Sequence, residues 1–164
     1  MSSITTRTLQ EADLEQGHAV ALASWQWTYH GILEPPFIEQ YVRTHYHPDQ
    51  LRPMLALIDR GDTFFEVALD GREVVGFCQI GITPQGAARL FRIYLLPAYV
   101  GRGIGDTLLR RGEAWLRSKG VDEYGCYVHS ANAVGKRFYE RQGFLHQPER
   151  DQDDEWYLHK TLAQ

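Results

Sequence analysis

The stretch RLFRIYLLPAYVGRGIGDTLLR, from Arg89 to Arg110, decides the fold more than any other part of the chain. Its apolar, strand-forming first half ends at Pro97, and glycines at positions 101, 103 and 105 then precede a helical pattern. A strand, a glycine-rich turn and a helix N-terminus together form an anion site, because glycine lets the backbone approach the ligand and the first helical N–H groups lack partners. The stretch therefore predicts a phosphate-binding turn, with pyrophosphate as the favoured anion.

Three kinds of phosphate site are possible interpretations of this turn. A Walker A loop ends in Gly-Lys-Ser/Thr, which is absent here. A dinucleotide fingerprint has the spacing G-x-G-x-x-G, whereas this turn reads G-x-G-x-G and lies past mid-chain without a clear βαβαβ repeat. The third kind is an acyl-coenzyme A site, in which the preceding strand is splayed from its neighbour and pairs with the pantetheine amides. This stretch alone also allows a fourth interpretation, in which a tight turn needs glycine only for its geometry and binds no anion.

Outside this stretch, the spacing of apolar residues predicts a mixed α/β sheet. An early helical part precedes several strands, and Asp70-Gly71 is typical of a hairpin turn between two of them. The strand at 89–96 is apolar nearly throughout, which predicts a central position in the sheet. The predicted strands are 4–9, 63–69, 73–82, 89–96, 123–128, 144–147 and 155–160, and the predicted helices are 11–29, 37–46, 48–61, 103–119 and 130–142.

Length and composition fit a globular protein. At 164 residues, the chain predicts a single domain over 1–164, and its net charge of −4 does not favour a nucleic-acid partner. No apolar run approaches the roughly 20 residues that span a bilayer, and the start MSSITTRTLQ lacks the core of a signal peptide. Cys78 and Cys126 have no metal-ligand spacing and fit buried thiols in a reducing compartment. We therefore expect a cytoplasmic protein without a metal, a membrane or a nucleic acid as partner.

A second motif, SANAVGKRFYERQGF at 130–144, narrows the choice of phosphate site. With LLPAYVGRGIGDTLL before it, the chain resembles the GNAT superfamily of N-acetyltransferases over nearly its whole length in element order. The resemblance implies the GNAT fold, an α/β (α+β) architecture. Its central sheet is mixed, mostly antiparallel, of about seven strands, splayed between strands 4 and 5 and flanked by about four or five helices. It also implies acetyl-CoA as cosubstrate and transfer of an acetyl group to a primary amine.

The resemblance also assigns roles to single residues. Tyr139 is the implied catalytic acid that protonates the departing thiolate, and it follows Asn132 by two helical turns, so that both lie on one helix face. Asn132 either contacts the pantetheine arm or simply caps its helix, and Lys136 reaches the phosphates or solvent. The family has a basic or amide residue where Val100 stands, which removes one phosphate donor. The implied cofactor contacts are Leu95, Leu96, Arg102, Gly103, Ile104, Gly105, Asp106, Thr107, Asn132 and Lys136.

The sequence gives weaker signals for the acceptor and for the general base than for the cofactor site. The segments WQWTYHGI and FRIYLLP resemble the PaiA-like branch of bacterial spermidine/spermine acetyltransferases, which implies a small amine or polyamine acceptor bound by Trp25, Tyr29 and Tyr94. A protein N-terminus or peptide amine is the rival acceptor, and a non-catalytic CoA-binding regulator or a nucleotide-binding module the rival function. Many relatives place a glutamate early on the central strand, where this chain has Ala88-Arg89-Leu90. The remaining base candidates, acting directly or through water, are Tyr29, His30, Glu34 and His129.

The C-terminal part carries two further expectations. Three consecutive residues, Trp156, Tyr157 and Leu158, fit an edge strand that pairs with a second copy in a homodimer. The acidic run before them, at positions 151 to 155, is expected to be a solvated turn, with attraction of a cationic substrate as the less favoured alternative.

Overall fold

The structure, a computed structural model, describes residues 3–162. This part of the chain contains seven strands and six α-helices. The strands are β1 (Ile4–Thr8), β2 (Thr63–Asp70), β3 (Glu73–Ile82), β4 (Ala88–Leu95), β5 (Glu123–His129), β6 (Leu145–His146) and β7 (Glu155–Thr161). The helices are α1 (Leu14–Thr28), α2 (Pro35–Tyr46), α3 (Pro48–Leu51), α4 (Met54–Asp59), α5 (Ile104–Ser118) and α6 (Ala133–Arg141).

The strands form one mixed sheet in the order β1-β2-β3-β4-β5-β7-β6. Every neighbouring pair is antiparallel except β4 and β5, which run parallel and are paired at Arg89 and Gly125 alone within residues 3–162. The two strands therefore diverge after this contact, as predicted for strands 4 and 5. β4 is the central strand, also as predicted, yet most of its residues are only half-buried because its β5 side is open.

Each face of the sheet is covered by its own set of helices. α5 buries Leu108, Leu109 and Leu116 against one face. α1 and α2 bury Val20 and Val42 against the other face. The opening between β4 and β5 thus connects an α5 side and an α1–α2 side of the sheet.

The prediction of one continuous helix over 48–61 is wrong. The segment forms two short helices, α3 and α4, which are divided at Pro53. Proline has no backbone N–H and its ring clashes with the preceding turn, so a helix cannot continue through it unbroken. The start of α6 also differs from prediction. α6 begins at Ala133 and not at residue 130. Its N-cap is Asn132, one of the two roles expected for that residue, because Asn132 Oδ1 accepts the Gly135 N–H at 2.8 Å.

The prediction that Trp156, Tyr157 and Leu158 form an edge strand is wrong. They lie on β7, which pairs along its length with β5 and is covered on its other side by β6. β6 is a two-residue strand that follows α6 and adds outside β7, so chain order and sheet order differ here. The edge strands of the described sheet are β1 and β6.

Both cysteines are buried and free, as predicted, and burial raises the pKa of each thiol. Among residues 3–162, no helix combines the length and the apolar character that crossing a bilayer requires. In the same part of the chain, no three His, Cys, Asp or Glu side chains are grouped as a metal site.

Candidate active site

The divergence of β4 and β5 opens a cavity of about 1040 Å³. It is lined by α1 and α2 on one side of the sheet, and by the turn before α5 and by α6 on the other. β4, the end of β5 and the turn before β7 supply the remaining walls. We call the part near the turn before α5 the cofactor end, and the part near α1 and α2 the acceptor end.

The cofactor end begins with the free edge of β4. The Leu96 N–H donates to the Val75 carbonyl on β3 at 2.8 Å. Successive residues of a strand direct their backbone groups to alternate sides, so the N–H and C=O of Leu95 are directed toward the opening. The structure therefore brings the Leu95 backbone to the cavity, whereas the Leu96 N–H is already used within the sheet.

The glycine-rich turn is the second part of the cofactor end. Gly101 and Gly103 both have a φ of +83°, a left-handed conformation that other residues rarely adopt. A Cβ atom at either position would meet nothing within 4 Å, so the space beside the turn is open. Thr107 N–H makes the first helical bond, to the Gly103 carbonyl at 3.1 Å.

The first turn of α5 therefore offers free donors to that space. The N–H groups at 104, 105 and 106 precede the first helical bond and lack partners in the helix. They point outward at the positive end of the helix dipole. Gly105 packs α5 closely against α6, since a Cβ there would lie 3.0 Å from the Phe138 ring. Together with the free β4 edge, these donors fit the pyrophosphate and pantetheine of an acetyl-CoA molecule.

Other predicted cofactor contacts are placed differently by the structure. The Arg102 guanidinium is exposed and lies 4.9 Å from the Tyr99 ring centre. The Ile104 side chain is core, and the Thr107 hydroxyl donates to the Gly103 carbonyl at 3.1 Å. The Lys136 ammonium donates to the Ser130 carbonyl at 2.6 Å and lies 4.1 Å from the Trp156 ring centre. None of these four side chains lines the cavity.

Tyr139 on α6 lies where the two ends of the cavity meet. Its ring packs edge-on against Phe138 and Phe144, with ring centres 5.4 Å apart in each case. Burial raises the pKa of the Tyr139 phenol well above its usual range, and the neighbouring Cys126 and Tyr94 raise it further. Tyr139 therefore keeps its proton at neutral pH. Asn132, the N-cap of α6, also lines the cavity.

Aromatic side chains from both early helices line the acceptor end. Trp25 lies against Tyr29 and Tyr41, with ring centres 4.7 Å and 4.4 Å away. The Tyr46 and Tyr94 hydroxyls are hydrogen-bonded at 2.7 Å. Trp25, Tyr29 and Tyr94 thus come together as predicted. Tyr41 and Tyr46 were missed, although their positions on the predicted helix 37–46 were a usable signal.

The four base candidates from the sequence do not provide a base of suitable geometry. His129 lines the cavity, but its Nδ1 accepts the Ala131 N–H at 3.0 Å, so the neutral ring carries its proton on Nε2. Tyr29 is buried, which raises its pKa, with a hydrogen bond from Asn132 acting in the opposite direction. His30 and Glu34 are exposed and lie outside the cavity lining.

The acidic turn at Asp153, Asp154 and Glu155 is exposed, as predicted, and also lines the acceptor end. The Ser130 N–H donates to the Asp154 carbonyl at 2.8 Å and holds the turn against the end of β5. Glu155 lies directly opposite His129 in the β5–β7 register, so both side chains project from the same face of the sheet. The density of acidic residues was the sequence signal for this placement, and attraction of a cationic substrate was the alternative to a solvated turn.

Comparison with known proteins identifies the class to which this fold and cavity belong. Residues 19–144 match the Acetyltransferase (GNAT) family, and the chain belongs to that family. It is 37% identical over 143 residues to spermidine N(1)-acetyltransferase of Thermoplasma acidophilum. That alignment covers 87% of this chain and 88% of the relative. It is also 35% identical over 75 residues to mycothiol acetyltransferase of Corynebacterium glutamicum, covering 46% of this chain and 26% of that protein.

A solved structure supports the same assignment. The fold superposes on the PaiA N-acetyltransferase of Thermoplasma acidophilum in complex with coenzyme A with a TM-score of 0.91 and 34% identity. The alignment covers 97% of this chain and 99% of that one. The predicted family, GNAT fold, N-acetyltransferase activity and acetyl-CoA cosubstrate are therefore confirmed.

Proposed function

We propose that the acceptor is a small cationic primary amine, with polyamines as the first class to test. The observation that carries this proposal is the acceptor end itself, where aromatic rings and the acidic turn face one cavity. Aromatic faces attract an ammonium group by about 0.5–2 kcal/mol each, and carboxylates add a charge partner. The name of the Thermoplasma acidophilum relative, a spermidine N(1)-acetyltransferase, supports the same class.

Acetyl-CoA is held, in this proposal, mainly by backbone groups. The N–H groups at 104 to 106 bind the pyrophosphate, and the free edge of β4 at Leu95 pairs with the pantetheine amides. Acetyl-CoA supplies an acetyl group activated as a thioester. Because the donors are backbone groups, Val100 in place of a basic or amide residue removes only one contact.

Tyr139 is the proposed general acid. Its Oη keeps a proton at neutral pH, because burial raises its pKa, and it lines the cavity between the two ends. A phenol in this position can protonate the sulfur that leaves when the thioester is broken.

Glu155 is the proposed proton acceptor for the incoming ammonium group. Glu155 lines the cavity and has a carboxylate that can accept a proton. None of the four candidates from the sequence brings a free basic atom into the cavity. Glu155 also adds to the rise in the pKa of Tyr29, Tyr41 and Tyr94, so its charge acts on the aromatic acceptor end. An amine must lose a proton before it attacks, and a carboxylate at the entrance can take that proton directly or through water.

The test is a panel of amines incubated with acetyl-CoA, with release of free thiol as the readout. The panel contains spermidine, putrescine, an alkyl monoamine and a short peptide with a free N-terminus. We expect thiol release with the small amines and little with the peptide. Binding of acetyl-CoA without thiol release for any amine would refute the proposal and favour a CoA-binding regulator.

We further propose that the protein acts in the cytoplasm on free small molecules, without a nucleic-acid or membrane partner. Two free buried cysteines and a net charge of −4 support this setting. A homodimer also stays a prediction, although β7 does not provide the edge first expected for it.

A further inference from the structure

Two arginines at the acceptor end are not explained by a purely cationic acceptor. Arg89 and Arg92 both line the cavity, and both come from the first half of β4. A site built only for a polyamine gains nothing from two positive charges, because like charges repel.

A β-bulge places the two arginines on the same face of β4. Residues three apart on a regular strand project from opposite faces. The β3–β4 register shifts at this point, so that Arg89 lies opposite Gly81 and Arg92 opposite Gln79. Gly81 and Gln79 are two residues apart on β3 and share a face, so their partners do too. The extra residue in β4 therefore turns both guanidinium groups toward the α1–α2 side.

Both guanidinium groups carry a buried nitrogen without a partner. Arg89 Nε and Arg92 Nη1 are shielded from solvent, and neither has a hydrogen-bond acceptor among residues 3–162. Each group instead lies over an aromatic ring, Arg89 at 5.1 Å from the Tyr127 centre and Arg92 at 5.1 Å from the Tyr46 centre. Buried polar groups in folded proteins are nearly always hydrogen-bonded, so an unmatched donor on each of two arginines that line the cavity points to a missing acceptor group.

Charges of opposite sign both act on the acceptor end of the cavity. Arg92 lowers the pKa of Tyr41 and Tyr94, while Glu155 raises the pKa of the same two residues. Both charges thus act across the aromatic acceptor end. A ligand with an ammonium group at one end and an anionic group at the other matches this arrangement.

We infer that Arg89 and Arg92 form an anion subsite, and that the enzyme acetylates amines that also carry a carboxylate. This inference rests on the proposed transfer to small amines and extends its acceptor class beyond polyamines. The transfer itself is unchanged. The ammonium group first loses one proton, which Glu155 takes and passes to solvent. The amine nitrogen then bonds to the acetyl carbon, the carbon–sulfur bond breaks, nitrogen loses its second proton and sulfur gains one.

Matched acceptors test the subsite. Pentylamine, cadaverine and 5-aminopentanoate share a chain length and differ in their far end, which is a methyl, an ammonium or a carboxylate group. Butylamine, putrescine and 4-aminobutanoate repeat the comparison in a shorter chain. For the wild type we expect kcat/KM for the amino acid to exceed that for the alkylamine by about tenfold, the size of one charge-assisted hydrogen bond.

The variants are Arg89→Met and Arg92→Met, which keep an apolar stem and remove the charge. Arg60→Met is the matched control, because Arg60 is exposed, pairs with Asp62 and lies outside the cavity. We expect the tenfold preference to fall to near unity in both cavity variants and to persist in the control. Arg92→Lys, which keeps the charge, should retain part of it.

Binding provides a second readout that does not depend on turnover. The affinity of 5-aminopentanoate for CoA-loaded enzyme, measured by calorimetry, should fall about tenfold in each Met variant. Equal kcat/KM for the amino acid and the alkylamine in the wild type, or a preference that survives both Met variants, would overturn the subsite. Thiol release with none of the amines would instead refute the proposed function, and calorimetry would still decide the subsite.

Discussion

The two ends of the cavity are built from different parts of the chain. The cofactor end consists of backbone groups, namely the free edge of β4 and the first N–H groups of α5. The acceptor end consists of side chains from α1, α2, β4 and the turn before β7. Backbone donors tolerate changes of most side chains, whereas side-chain contacts change with every substitution. One end can therefore stay constant within a family while the other selects the acceptor.

Removal of the Tyr139 hydroxyl should have the largest effect, because Tyr139 lies where the two ends meet. We expect Tyr139→Phe to lower kcat about 100-fold or more, the usual size of a lost general acid, with acetyl-CoA affinity unchanged. Steady-state thiol release and calorimetry measure the two quantities. Tyr99→Phe is the control, since it removes a hydroxyl that is bonded to Asp70 and lies outside the lining. Unaltered kcat in Tyr139→Phe would remove the acid assignment.

A substitution in the glycine turn should damage the cofactor end alone. In Gly103→Val, a left-handed residue gains a side chain beside the open space, so we expect acetyl-CoA affinity to fall about tenfold or more and stability to fall by about 1–2 kcal/mol. Gly120→Val is a close control, because Gly120 has a φ of +75° and follows the other end of α5. The control should lose similar stability and keep its affinity, as thermal shift and calorimetry would report. Equal affinities in the two variants would contradict the comparison.

The same contrast explains what the sequence could predict. The glycine turn and the end of β4 follow from a continuous stretch with strong local signals, so the turn before α5 and the open central strand were predictable. The acceptor end joins α2, β4 and a turn that is distant in sequence, so local patterns could not show that Tyr46 and Glu155 face one cavity. The place of β7 between β5 and β6 was hidden for a similar reason, since strand order depends on tertiary pairing.

Glu155→Gln should damage the acceptor end and spare the cofactor end. At neutral pH, we expect kcat/KM for the amine to fall about tenfold, at the lower end of general-base effects. At about pH 10 the amine loses its proton in solution, so the defect should shrink toward the wild type. Glu149→Gln in the neighbouring exposed turn serves as the control. A defect of the same size at every pH would exclude a role for Glu155 in proton removal.

Restoration of a basic residue at position 100 should have a small effect in the opposite direction. Val100 lines the cofactor end and is 38% exposed, so Val100→Arg can place a guanidinium near the phosphates. An exposed ion pair contributes about 0.2–1 kcal/mol, which corresponds to a gain in acetyl-CoA affinity of up to about fivefold. The gain should shrink at high salt. A loss of affinity would mean that the phosphates lie elsewhere.

The pH profile of the wild type should show no alkaline loss through Tyr139. Because its pKa is raised well above 10.0, the phenol keeps its proton at pH values where an ordinary tyrosine begins to lose it. We expect kcat to stay level up to about pH 10, the usual pKa of tyrosine. A decline centred below that value, and absent in Tyr139→Phe, would contradict the buried acid.

A crystal structure with CoA and an unreactive acceptor analogue would test the division of the cavity most directly. We expect pyrophosphate oxygens on the N–H groups at 104 to 106, pantetheine along Leu95, and the sulfur beside Tyr139 Oη. We expect the acceptor nitrogen between Tyr139 and Glu155, on the α1–α2 side of the sheet. CoA bound outside the β4–β5 opening, or an acceptor bound away from the aromatic end, would contradict this division of the cavity.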